Sequence, residues 1–344
     1  MPAERVLTER ELNRALLARQ LLLQRARLPI PRVLERIGGL QAQYAPSMYI
    51  GLWSRLETFQ RDALTRALER RSVVQATMMR ATIHLVSRAD YWLLVVAIRD
   101  DRLEWWERVH SAADPREMRA AAKRLRRFLR DGPRRRREVE ELLGRQAALG
   151  IGAYVDLVRV PPSGTWEQRR ADLYALAQEW LPAPKIRRDE ALDHLIRRYL
   201  AAFGPAAKKD IADWAMLPVS EIDRGLVRIQ LRHFRDEAGK ELLDLPRMPI
   251  PDADTPAPPR FLPVWDATML VHARRTGILP EEYRPVIFNV KTPQSANTFL
   301  VDGRVAGTWR YEQGRVRIEP FERMPRGVRR ELDQEAKRLA AFHA

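Results

Sequence analysis

The side chains that could do chemistry in this chain are amides and aromatic rings gathered between two helix breakers. From Gly38 to Trp53 the order is Gly-Gly-Leu-Gln41-Ala42-Gln43-Tyr44-Ala-Pro46-Ser-Met-Tyr49-Ile-Gly-Leu-Trp53. Two glycines weaken the helix before the glutamines, and Pro46 stops any helix running through them. A pocket is expected there, with Tyr44, Tyr49 and Trp53 as its lining. In a regular helix Gln41 and Gln43 would lie about 200° apart, since each residue turns about 100°. Extended backbone points residues i and i+2 the same way. Two amides serving one site therefore require the helix to end near them. An amide is too weak to be a general base, but it accepts a hydrogen bond from water, orients that water, and turns its carbonyl dipole toward developing positive charge. From composition alone, the same pair also reads as two solvated side chains at a helix end.

Other chemistries are removed by what the sequence lacks. There is no cysteine among 344 residues, which excludes disulfides, thiolate nucleophiles, Cys-ligated zinc and iron–sulfur clusters. The six histidines (His84, His110, His194, His233, His272 and His343) are scattered without a ligand spacing, so no metal is expected, and no Gly-rich phosphate loop is present. The N-terminal MPAERVLTER has no apolar signal core. The longest apolar run, Tyr91 to Ile98, is far short of the roughly 18 residues of a membrane span. A cytoplasmic protein with no membrane partner is expected. Lys+Arg 61 against Asp+Glu 45 leaves a net charge of +16, the balance of a polyanion-binding surface. Arg-rich usage by itself reflects genome composition equally well; the uncancelled charge is the stronger sign.

The elements that must carry these residues are mostly helical. Thr8 and Glu11 form a capping-box signature before an amphipathic pattern from Glu11 to about Arg25. A short helix starts near Pro31 and another spans about 60–70. From Val73 to Val86 alternation replaces helical spacing, placing Arg80, Thr82 and His84 on one strand face. Ser87 caps a long helix. Helices followed by a β-ribbon outline a winged helix, and the middle of the chain repeats the theme. Gly132-Pro133-Arg134-Arg135-Arg136-Arg137-Glu-Val and Gly204-Pro205-Ala-Ala-Lys208-Lys209-Asp-Ile align without a gap, 72 residues apart. Each follows a helix pattern, about 115–130 and 189–203. A proline-rich linker runs from Leu245 to Pro263. Beyond it Asp302-Gly303 between apolar runs signals a hairpin, and a basic amphipathic helix from about Arg326 to Phe342 closes the chain.

Taken together, Gly-Gly-Leu-Gln41-Ala42-Gln43, Tyr49-x-Gly51-Leu-Trp53-x-Arg55, Met79-Arg80-x-Thr82-x-His84-Leu-Val and Phe299-Leu-Val-Asp-Gly-Arg-Val-Ala-Gly-Thr-Trp309 resemble the AlkZ/YcaQ family of bacterial DNA glycosylases. The resemblance covers nearly the whole chain. It implies a mainly α fold with small β-ribbons (α+β), tandem winged helices in a C-shaped arrangement, and a C-terminal β-rich region. The expected divisions are 1–112, holding the catalytic motif, 113–186, 187–250 and 251–344. It also implies that Gln41 and Gln43 are the catalytic pair, with Ala42 as spacer, on a two-glutamine branch. Tyr44 and Ala81 depart from the family pattern, where an acidic residue and glycine are expected, and both bear on the substrate.

The expected reaction is hydrolysis of the N-glycosidic bond of an N7-alkylated purine, bulky and interstrand cross-linking adducts included, to leave an abasic site. Such a base is already cationic and labile, so neutral catalysts suffice, without metal or cofactor and without a lysine Schiff base. The partner is double-stranded DNA carrying alkylated bases, met by a nucleoid-associated monomer. Arg80, Thr82, His84, Arg134, Arg135, Arg136, Arg137, Lys208 and Lys209 are the expected DNA contacts, with Arg304 at the hairpin tip reaching a groove. Charge runs are also ordinary solvated faces, and His84 also reads as a satisfied buried histidine. Two alternatives stand beside the glycosylase: a non-catalytic winged-helix DNA-binding protein or regulator, and a relative that hydrolyses some other nucleoside.

Overall fold

The computed structural model describes residues 5–270, 277–289 and 294–344; His272 lies outside them. The chain opens with strand β1 (Val6–Leu7) and helix α1 (Glu9–Arg19). Thr8 caps α1: its Oγ1 accepts from the Glu11 amide at 3.2 Å, and the Glu11 carboxylate accepts from the Thr8 amide at 2.9 Å. The helix ends at Arg19, short of the Arg25 that its apolar pattern suggests. Leu21 turns to φ +58°, its amide donates to Ala18 and that of Leu22 to Leu17, a Schellman stop with leucine where glycine is usual.

There follow α2 (Ile30–Ile37), β2 (Leu40–Gln41), α3 (Ala45–Arg55), α4 (Arg61–Glu69), β3 (Val73–Thr77), β4 (Ile83–Ser87) and α5 (Arg88–Val109). The extended ribbon expected from Val73 to Val86 is instead a hairpin. Its two strands are joined through a 3-10 turn, Met79–Ala81, in which Arg80 and Ala81 hold φ of +53° and +54°. Arg80 therefore sits on the turn and not on the strand face of Thr82 and His84. Ser87 caps α5, its Oγ accepting from the Asp90 amide at 3.1 Å.

The middle of the chain supplies α6 (Pro115–Arg130), β5 (Arg134–Arg135), α7 (Arg136–Leu143), α8 (Arg145–Gly150), β6 (Leu157–Arg159), β7 (Leu173–Leu176), α9 (Ala177–Trp180), α10 (Arg188–Phe203), α11 (Lys208–Ala215), α12 (Val219–Leu226), β8 (Arg232–Asp236) and β9 (Glu241–Asp244). The aligned repeat folds in register. Helices α7 and α11 are both 8 residues long, start 72 positions apart, and each follows a 16-residue helix. The strands β2-β4-β3-β6-β7-β5 form one six-stranded antiparallel sheet, so segments on both sides of residue 112 share hydrogen bonds. β8 and β9 pair as a hairpin, with β1 added parallel to β8.

The proline-rich stretch is irregular up to Pro259, but its end is β10 (Arg260–Leu262). This strand pairs with β13 (Thr298–Val301), which continues through the Asp302-Gly303 turn into β14 (Arg304–Glu312) and β15 (Arg315–Pro320). Between them lie α13 (Arg284–Ile287) and the short pair β11 (Phe288–Asn289) and β12 (Gln294–Ser295); α14 (Arg326–His343) closes the fold.

The mainly helical α+β class agrees with the expectation. One large apolar core unites α5, α10 and α11 with β3; a second gathers Leu40, Ala42, α3, Phe261, Phe299, Trp309 and Leu339. The C-terminal sheet and α14 thus pack behind the glutamine segment. Arg55 on α3 is fully buried and forms a bidentate pair with buried Asp266, at 2.9 and 3.0 Å. Removing one member of such a pair would leave an uncompensated buried charge, a cost of about 3–5 kcal/mol.

Candidate active site

Position 41 is set by how α2 ends. Gly38 (φ +76°) stops the helix and Gly39 (φ +83°) turns the chain onto the sheet, where a β-carbon would meet the Leu85 carbonyl at 3.0 Å. Leu40 and Gln41 then pair with Leu85 and His84 of β4. The segment alternates: Leu40 and Ala42 are buried in the core, Gln41 is half-buried and Gln43 is exposed. The two amides lie on the side opposite Leu40 and Ala42, as extended backbone requires.

Their orientation follows from their partners. Arg80 Nη2 donates to Gln41 Oε1 at 3.2 Å, and the Ile83 amide donates to Gln43 Oε1 at 3.1 Å. Guanidinium and backbone N–H groups have no acceptor, so the carbonyl end of each amide must face the β3–β4 turn. Each Nε2 is unpaired among the described residues, and each oxygen keeps a second lone pair. Ala42 anchors the segment between them, its amide donating to the Ile83 carbonyl at 2.7 Å.

The turn that carries Arg80 is strained. Two consecutive non-glycine residues with positive φ are costly, and Ala81, where the resemblance leads one to expect glycine, occupies one of them. The Arg80 guanidinium is pushed down to about 10 by burial. His84 is buried and its Nδ1 lies 3.1 Å from the Thr82 carbonyl. Burial first, and then the Arg80 charge, lower its pKa to about 3, so it is neutral and donates to that carbonyl.

Gln43 and Ala81 line a cleft of about 410 Å³ whose far walls come from α5, α7, α8 and β6. Of the expected DNA contacts, Arg136 lines this cleft with Gln43. Several others are placed differently from the sequence expectation. His84 is too buried to reach a duplex. Arg134 (3.9 Å from Glu138), Arg135 (2.9 Å from Asp172) and Arg137 (2.9 Å from Glu141) are paired on their own module. Arg136 is 2.7 Å from Glu140, Lys208 3.1 Å from Asp223 and Lys209 2.8 Å from Asp213. Arg135, Arg137, Lys208 and Lys209 are exposed, Arg134 and Arg136 half-buried, and all six are neutralised locally. The hairpin tip does not project into a groove: Asp302 is bound by Arg10 and by the buried Arg14, and Arg304 lies 3.6 Å from Glu9. It is docked on α1.

The aromatic lining also differs. Tyr49 is fully buried, its hydroxyl 2.9 Å from that of Thr65 and its ring edge-on to Trp166. Trp53 is buried beneath the Arg25 guanidinium, 4.8 Å above its ring. Their i, i+4 spacing puts both on the core face of α3. Tyr44 alone of the three is exposed, accepting from Arg169 at 3.2 Å. The cleft is lined instead by residues the sequence reading passed over, among them Arg102, Trp105 and Trp106 of α5, together with Asp156 and Arg159. Positions 102, 105 and 106 share one helical face, and that spacing was the available signal.

With this geometry in place, the comparisons with known proteins carry weight. Residues 34–342 match the family described as DNA glycosylase AlkZ-like. No curated protein matches the chain. Among solved structures the chain is similar to the Streptomyces sahachiroi DNA glycosylase AlkZ, with a TM-score of 0.82 and 20% identity over 98% of this chain and 97% of the other. That likeness shows a shared fold. The family match spans most of the sequence, and the chain belongs to the AlkZ-like DNA glycosylase family. It is in class a hydrolase of N-glycosyl bonds that acts on DNA in repair.

Proposed function

We propose that this glycosylase removes N7-alkylated purines and that Gln41 and Gln43 are its catalytic pair. One observation carries the reading: two amides, two positions apart, are held through their carbonyl ends to one hairpin, Gln41 by Arg80 of the strained turn and Gln43 by the Ile83 amide at the start of β4, with Gln43 lining a cleft in a chain of net charge +16. In an N7-alkylguanine nucleotide the C1′–N9 bond breaks with its electron pair passing into the ring, cancelling the base's charge. Water adds to C1′ and its proton is lost to solvent, giving free base and an abasic site. The Gln43 carbonyl orients the water with its second lone pair, and the two dipoles favour the developing sugar cation. No lysine lines the cleft among the described residues, and the reading has no strand cleavage coupled to excision. Bulky and cross-linked adducts belong to the same reading, and a cytoplasmic, nucleoid-associated monomer fits this role. The same reading keeps three winged-helix modules in a C-shaped arrangement, divided near residues 112, 186 and 250. Half-buried Arg80 and Thr82, the cleft residue Arg136 and the exposed Lys208 and Lys209 contact the backbone.

The test is a duplex holding one N7-methylguanine, scored for alkali-sensitive abasic sites. Wild type should produce them, and Gln43→Ala should lower the single-turnover rate by about 10²–10³-fold, the scale of one lost electrostatic stabiliser, with duplex affinity unchanged. Wild-type protein that binds one duplex sequence preferentially, yet excises nothing from any N7-alkyl lesion, would establish the regulator instead.

A further inference from the structure

The cleft beside Gln43 is larger than two amides need, and its volume of about 410 Å³ falls in the range of small-molecule sites, about 300–1,000 Å³. Its construction is specific. Trp106 is fixed from two sides, stacked on His110 at 4.8 Å and 12° and edge-on to Tyr154 at 5.5 Å. It also presses on Gly150, where a β-carbon would come within 2.0 Å of its ring, so glycine is required for the tryptophan to sit there. Trp105 lies beside it, half-buried, on the same wall.

The polar lining is equally ordered. Arg102 donates to the Thr77 carbonyl at 2.7 Å, and Arg159 to the Thr77 hydroxyl at 3.1 Å. Both guanidinium groups are thereby pinned to the end of β3, two residues before the turn that orients Gln41. The Nε atom of each is buried and without a hydrogen-bond partner among the described residues. A buried donor left unpaired is costly, and both of these lie on side chains that line the cleft. Burial holds both arginines below their ordinary pKa, a sign of how little water reaches them.

We propose that this cleft receives the leaving purine, with the ring stacked on Trp105 and Trp106 and its carbonyl and ring-nitrogen acceptors toward Arg102 and Arg159. The proposal rests on the glycosylase reading above and deepens it. An N7-alkylguanine enters as a cation and leaves neutral, because the electron pair of the broken C1′–N9 bond passes into its ring. Three arginines line the cleft, Arg102, Arg159 and the Glu140-paired Arg136, against the single carboxylate of Asp156, and this excess of positive charge disfavours the cationic substrate relative to the neutral product. The wall charge therefore assists bond breaking, a differential interaction of the kind that accelerates a chemical step. Stacking tolerates any purine substituent, so the pocket selects a flat base more than a particular alkyl group.

Gly152 offers the test, because it lines the cleft and nothing lies within 4 Å of the position its β-carbon would take. Gly152→Phe fills the cavity from open space. Free 7-methylguanine is titrated into wild-type protein and variant by calorimetry, and excision from a duplex with one N7-methylguanine is followed under single turnover. Wild type should bind the free base, and the variant should lose about tenfold or more in both measurements, the scale of one lost base–aromatic stack. Affinity for a duplex with a tetrahydrofuran abasic analogue should stay within about twofold of wild type. Trp105→Ala, at a half-buried position, should weaken free-base binding in the same direction if Gly152→Phe fails to fold. Excision by wild type with no binding of free base, or with both variants excising as well as wild type, overturns the pocket and leaves the glycosylase standing. Wild type that neither excises nor binds the base overturns both.

Discussion

A glutamine amide shows a neighbour either an acceptor or a donor, and at positions 41 and 43 the neighbours decide which. Arg80 and the Ile83 amide donate only, so both carbonyl oxygens point at the β3–β4 turn. Arg80→Met leaves Gln41 free to rotate, and the single-turnover excision rate should fall about 10²-fold, as for a catalytic group displaced by about an ångström. Arg80→Lys should recover part of that loss. Duplex affinity measured alongside should change far less than the excision rate; a loss confined to affinity would mean that Arg80 contacts phosphate without positioning Gln41. His84 is the second residue-scale case. Its folded pKa is about 3, against about 6.5 in the unfolded chain. As pH drops from 6.5 toward 3 the unfolded state gains a proton that the folded state does not, so the His84 contribution lowers stability in that window. Thermal denaturation should show a smaller Tm decrease between pH 7 and pH 5 in His84→Gln than in wild type, and excision should show no inflection near 6.5 from this residue.

At the scale of elements, the glutamine segment is short and owes its direction to its ends. Gly39 holds φ +83° against the Leu85 carbonyl, and only glycine does this without strain. Gly39→Ala should cost about 1–2 kcal/mol, read from the urea midpoint, and should reduce excision beyond the loss of folded protein because β2 shifts against β4. The hairpin from Val73 to Ser87 illustrates where a sequence pattern stops informing. The alternation of apolar residues was legible on both arms. The interruption at Arg80 and Ala81 was not, because neither residue favours positive φ; it is imposed by packing, the turn lying against α11.

At the scale of the molecule, the charge of +16 is spread over many cations that already have carboxylate partners, as at Arg134, Arg135, Arg136 and Arg137. Under the proposed reading, DNA binding would exchange pairs such as Arg136–Glu140 for phosphates and would remain electrostatic. Affinity for undamaged duplex should fall by about 10³–10⁵-fold between 50 and 200 mM salt if 6–10 phosphates are contacted. A filter-binding titration over that range checks this; a nearly flat salt dependence would mean that the internal pairs stay closed.

The amino-acid sequence by itself determined the features that depend on neighbours along the chain: the Thr8 cap, the Ser87 cap, the Asp302-Gly303 turn, and two aligned helices 72 residues apart. It also located the break at Gly38 and Gly39 that lets Gln41 and Gln43 lie on extended backbone. Tertiary structure alone decided what surrounds them. Tyr49 and Trp53 look like pocket aromatics beside a polar motif, yet α3 is buried on every side and takes them into the core. The two tryptophan rings at the cleft come from α5, more than 60 positions later in the chain than Gln41. Arg304 stays exposed, yet its turn is docked on α1, with Asp302 held by Arg10 and Arg14. Local propensity acts through a few covalent neighbours, whereas a pocket is assembled by segments whose proximity no local pattern encodes.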